Sequence, residues 1–137
     1  MSSTDRDKLM KTGPALIQGP PITEMHSVFT AIIASTTAED EVHTASRKLV
    51  SMPGVFGAAH NVAAFRLRNP KTAATQESWQ DDGDYGVGRH LIRLLTRRNL
   101  TNLTVFVTRQ YGSAHLRYKR WAAIERALDS ALQKAKL

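Results

Sequence analysis

Between Asp81 and Leu95 the chain reads DDGDYGVGRHLIRLL. Carboxylates and glycines run there into a segment with helical spacing, which raises three chemistries: a phosphate cradle, a cation loop, or a helix start. A dinucleotide-binding turn needs a third small residue three places after its second glycine, so that helix and strand can approach. Gly86 and Gly88 are followed by Leu91 instead, and Asp81, Asp82 and Asp84 would repel a phosphate at short range. A calcium loop needs oxygen ligands at alternate positions closed by a glutamate, yet the next acid after Asp84 is Glu125. The helix start fits better. The Asp84 carboxylate is placed to accept orphaned backbone N–H groups and to face the positive end of a helix dipole. Beyond it Val87, Leu91, Leu94 and Leu95 fall on one side of a helix. Arg89, Arg93 and Arg97 fall on the other at i, i+4 and i+8, with His90 at their edge.

The remaining polar groups make no catalytic set. Ser113 and His115 stand two apart on an expected turn, with no orienting acid nearby in sequence. His60 beside Asn61 reads as a hydrogen bonder at a strand end. Glu39 and His43 share a helix face but lack a third ligand. The expectation is a protein with no enzymatic activity, no metal and no cofactor.

Charge says more. The 137-residue chain carries a net charge of +7, unevenly placed. Arg89, Arg93, Arg97, Arg98, Arg109, Arg117, Lys119 and Arg120 follow one another without an intervening acid, just after the acidic stretch Glu77–Asp84. Of these, Arg89, Arg93, Arg97, Arg109, Arg117, Lys119 and Arg120 are the expected partner-binding face. A basic face beside an acidic loop suits polyanionic or acidic partners better than a small neutral ligand. With no cysteine there is neither a disulfide framework nor a thiolate zinc site, which fits a cytoplasmic protein. No apolar run approaches the roughly 18 residues of a membrane helix, and the N-terminus lacks the apolar stretch of a secretory signal. No membrane partner is expected.

Positioning these residues takes strands and helices in alternation. Residues 1–15 read as a flexible tail and 16–137 as one domain, a length that can bury a real core. SVFTAIIAST (Ser27–Thr36) is β-branched and aromatic and reads as a strand, after an edge-type segment QGPPIT. Thr36 and Thr37 offer N-caps, with Glu39 and Asp40 at capping-box spacing. Val42, Ala45, Leu49 and Val50 make the stripe of the helix that follows. His60–Asn69 reads as a second strand with Val62 and Ala64 inward, and residues 70–84 as a surface loop or weak hairpin. Residues 86–98 are helical, Leu103–Tyr111 is a strand, and a last helix starts near Leu116 with Trp121, Ile124, Leu128 and Ala131 on one stripe.

These blocks resemble the Impact family. The likeness runs through GPPITEMHSVFTA, HNVAAFRL, the DDGDYGVGRHLIRLL segment, NLTVFVTRQYGSAHL and KRWAAIERAL, covering most of the chain in order. Asp82, Gly83, Asp84, Gly88, Tyr111 and Gly112 stand at the family's loop motifs. Gln110, Ser113 and Arg117 depart from it, standing where an aromatic and two glycines are usual. The resemblance implies an α/β (α+β) fold: a ribosomal-protein-S5-domain-2-like two-layer sandwich, its four-stranded sheet covered by helices on one face. Eukaryotic members usually also carry an N-terminal RWD domain, for which this chain has no room. The resemblance further implies a non-enzymatic translational regulator. Such members bind the large ribosome-associated activator of the starvation-responsive kinase of initiation factor two, keeping that kinase off, and they associate with actin. The alternative is an RNA- or ribosome-binding module using the basic face, in which Tyr111 and Tyr118 are either stacking groups or, equally, core or rim residues. The family likeness weighs more than charge alone.

Overall fold

The computed structural model describes residues 12–53, 55, 60–110 and 119–137. Its elements are β1 (Ile17–Gln18), β2 (Ile22–Glu24), β3 (Ser27–Ser35), α1 (Glu39–Val50), β4 (His60–Arg68), β5 (Thr75–Gln80), α2 (Val87–Arg97), β6 (Leu103–Gln110) and α3 (Lys119–Lys134). All strand pairings are antiparallel, in the order β1-β3-β6-β4-β5, with β2 also on β3.

Proline chemistry shapes the first edge. Gly19 donates its N–H to the Ala31 carbonyl at 2.9 Å, but Pro20 and Pro21 have no N–H to give. The edge therefore breaks into β1 and β2, both lying along β3. β2 then turns into β3 through Met25 and His26, at φ 46° and 71°. A two-residue type I′ hairpin requires positive φ at both positions.

The two central strands, β3 and β6, are buried on both faces, with Ile32 and Ala34 of β3 and Phe106 of β6 giving the second face its apolar surface, and this decides the layering. Phe29, Ala31, Ile33, Leu103, Val105 and Val107 point to one side, joined by Val62 and Ala64 of β4. There they meet Val87, Leu91, Leu94 and Leu95 of α2 and Ile124, Leu128 and Ala131 of α3, with Trp121 packed at the margin. Ile32, Ala34 and Phe106 point the other way and meet Ala45 and Leu49 of α1. The α+β class is as expected, but the single-face arrangement needs correcting. Two helices cover one face and α1 covers the other, because a sheet with two apolar faces needs both hidden from water. The four strands β3, β6, β4 and β5 are extended beyond β3 by β1 and β2, leaving β5 at the other end of the order.

Two local expectations also change. Residues 75–80, expected in a loop or weak hairpin, form a true strand, paired with β4 from Arg68↔Thr75 to Ala63↔Gln80. Its side chains are all exposed, so the apolar alternation that marks a half-buried strand is missing. At α1 the cap residue is Ala38, with no side-chain cap bond. Thr36 is buried and bonded to Thr104 instead (2.8 Å), while Glu41 accepts from both the N–H and the hydroxyl of Thr37 (2.6 and 2.7 Å). Val50, expected on the apolar stripe, is exposed.

Candidate interaction site

The loop between β5 and α2 is held by its carboxylates. Asp81, not Asp84, caps the helix: its two oxygens accept the N–H groups of Gly86 (3.0 Å) and Gly88 (2.8 Å). Gly86, at φ 85°, takes the left-handed turn into the helix that a side chain would strain. Gly88 allows a close approach, because a Cβ there would sit 2.6 Å from the Trp79 ring and 2.8 Å from Asp81. Asp82 ties the loop to β4, its carboxylate accepting the Asn61 N–H at 2.8 Å and its carbonyl lying 2.8 Å from His60 Nδ1. Gly83 rests against the His60 ring.

Asp84 has a different role from the expected cap. It is 3% exposed and lies 2.9 Å from Arg120 Nη1 and 3.4 Å from Arg109 Nη1. Arg109 also donates to Ser27 and lies over the Phe29 ring, 5.4 Å from its centroid. Arg120 donates to the Tyr85 carbonyl at 3.0 Å and stacks on Trp121 at 4.4 Å. One buried carboxylate thus joins β6, α3 and the loop. Sequence spacing cannot show this, because Arg109 and Arg120 lie 25 and 36 residues beyond Asp84.

The expected basic face therefore divides. Arg89, Arg93 and Arg97 are exposed along α2, and among the described residues none is tied to a carboxylate. Lys119 is exposed at the start of α3. Arg109 is buried and Arg120 half-buried against Asp84, so neither extends an open patch. Arg117, Tyr111 and Gly112, together with Ser113, His115 and Tyr118, lie outside the described residues.

The arginine row borders a groove of about 600 Å³ between α2 and β5, with Glu77 and Trp79 on the strand side and Ile92 at its base. A second groove of about 640 Å³ adjoins it, shared at Trp79, Arg89, His90 and Arg93 and bounded by Tyr85 and Trp121. Trp79 is 46% and Tyr85 85% exposed. The His90 ring lies 4.7 Å from that of Trp121. Burial lowers the His90 pKa, and the cations Arg97 and Arg93 act the same way, against the Trp121 backbone and Glu125. Sequence reasoning missed Trp79 and Tyr85 as surface aromatics, whereas Trp121 packs against the core as its helical stripe predicts. A tryptophan inside an otherwise polar stretch was the available signal for the first. Among the described residues no group of three or more His, Asp or Glu could hold a metal ion, and no helix is long and apolar enough to cross a membrane.

Comparison with known proteins returns the same α+β fold. The Impact N-terminal domain family matches residues 25–132, and the chain belongs to this family. It is 30% identical over 115 residues to the Protein IMPACT homolog of Saccharomyces cerevisiae, covering 84% of this chain and 45% of that protein. To human Protein IMPACT it is 27% identical over 132 residues, 96% of this chain and 41% of that one. It thus spans under half the length of these relatives. Among solved structures, the two-domain translational regulator Yih1 aligns with TM-score 0.64 at 28% identity, over 88% of this chain and 46% of that one. A hypothetical protein of known crystal structure shares the fold at TM-score 0.69 and 20% identity, over 90% of this chain and 62% of that chain.

Proposed function

We propose that this protein is a non-enzymatic regulator of translation that acts by protein–protein contact. The observation that carries this reading is the likeness to Yih1, a translational regulator, across 88% of the chain. The partner that the family resemblance implies is the large ribosome-associated activator of the starvation-responsive kinase of initiation factor two; actin is a further candidate. The open row of Arg89, Arg93 and Arg97 supplies an unneutralised surface for such a contact, whereas the buried Asp84 cluster serves the fold. A second reading, RNA or ribosome binding, draws on the net charge of +7 and on exposed Trp79 and Tyr85 beside the arginines. The test is made in amino-acid-starved cells. Producing this chain is expected to lower phosphorylation of initiation factor two; unchanged phosphorylation at high protein levels would count against the reading.

A further inference from the structure

We propose that the free edge of β5 and the arginine row of α2 together take up an extended acidic segment of a partner protein, which joins the sheet as an added strand. This rests on the protein-contact reading above and specifies the form of that contact.

β5 ends the sheet order, and no described strand pairs with its outer side. Which of its backbone groups face outward follows from two bonds. Asn69 donates its N–H to the Ala74 carbonyl, across the hairpin. Arg68 donates its N–H to the Asn102 side chain, on the opposite side of β4. Antiparallel alternation then turns the backbone of Gln76, Ser78 and Gln80 toward β4, and that of Thr75, Glu77 and Trp79 outward. The usual protections of a sheet edge are weak here. The strand has no proline, and its one charge, Glu77, is engaged with Arg66 at 3.0 Å.

The chemistry of the occupant follows from the arginines. The groove is bounded by Glu77 and Trp79 on one side and by all three arginines on the other, so the rows run alongside each other. Side chains on one face of a strand repeat every two residues, about 6.8 Å. Four residues of helix rise about 6 Å. Over three side chains the two repeats drift apart by under roughly 2 Å, which an arginine side chain absorbs. An added strand with carboxylates at every second position would therefore set one near each of Arg89, Arg93 and Arg97. A single-stranded nucleic acid could meet the arginines and Trp79, but it has no peptide groups with which to pair the edge.

The test uses the whole chain and a synthetic peptide of about eight residues alternating glutamate and valine, with binding read by calorimetry. Controls are a peptide of the same composition with its glutamates in one block, the alternating peptide N-methylated on its edge-facing amides, and an oligouridine. The alternating peptide is expected to bind about tenfold more tightly than either peptide control. Its affinity should fall about tenfold in the Arg89→Glu, Arg93→Glu, Arg97→Glu variant. Glu77→Pro, which removes an outward N–H, should weaken it, while Glu77→Ala should leave it largely intact. Equal binding of the alternating and block peptides, or undiminished binding of the N-methylated peptide, would overturn strand addition. So would displacement of the peptide by oligouridine at lower concentration. The N-methylated arm needs no variant to fold. If these arms fail while starved cells still show lowered phosphorylation, the strand is wrong and the regulatory reading stands.

Discussion

Replacing Asp84 with alanine tests how this loop is held. As a surface helix cap the residue would contribute about 0.5–2 kcal/mol. The structure gives it a different place. The carboxylate is 3% exposed and shared by two guanidiniums, Arg109 at 8% and Arg120 at 23% side-chain exposure. Removing one partner of a buried ion pair typically costs about 3–5 kcal/mol. The Arg120 arm is the shorter but is partly screened by water, and the Arg109 arm is the drier but is long at 3.4 Å, so the lower end is expected, about 3 kcal/mol. For a domain of this size that lowers Tm by about 10 °C. Asp84→Asn keeps the shape and removes the charge, and should lose most of the same amount. The assay is urea denaturation of both variants, with Arg120→Ala alone and combined with Asp84→Ala as a double-mutant cycle. A loss below about 1 kcal/mol for Asp84→Ala, or strict additivity with Arg120→Ala, would refute the buried-pair account.

Three further outcomes follow from the same geometry. Asp81→Ala should cost about 0.5–2 kcal/mol through the lost cap, measured by the same denaturation; no change would show that the Gly86 and Gly88 N–H groups do not depend on it. Leu95→Ala and Ile124→Ala, both fully buried, should each cost about 2–5 kcal/mol, and unchanged midpoints in both would refute the core. His90 is held below its usual 6.5, chiefly by burial, so the unfolded chain takes up the proton first as pH falls. Its contribution is therefore complete above about 6.5 and is lost as pH drops through the lower folded value. His90→Phe should flatten the fall in Tm between about pH 7 and pH 5, and an identical slope in both proteins would contradict this.

Periodicity carried most of the core. Val62, Ala64, Val105, Val107, Leu91, Leu95, Ile124 and Leu128 meet where their spacing places them, because burial repeats every second residue in a strand and every third or fourth in a helix. β5 escaped because its side chains are all exposed and show no apolar alternation. The position of α1 escaped because a one-face, two-layer expectation has no use for apolar residues on both sides of β3. The arginine row was legible, since i, i+4 spacing fixes a helix face whatever the partner. The fates of Arg109 and Arg120 were not. Both depend on a carboxylate distant in sequence, and charge counts treat a buried cation and an open one alike.

The central claim is that the open row of Arg89, Arg93 and Arg97 docks a protein. Its most direct test is capture from RNase-treated lysate by the wild-type chain and by the Arg89→Glu, Arg93→Glu, Arg97→Glu variant, after both are shown to be folded. The account predicts RNase-resistant recovery of one large ribosome-associated protein by the wild type and its loss from the variant. Recovery that disappears with RNase, or that survives reversal of all three charges, would contradict it.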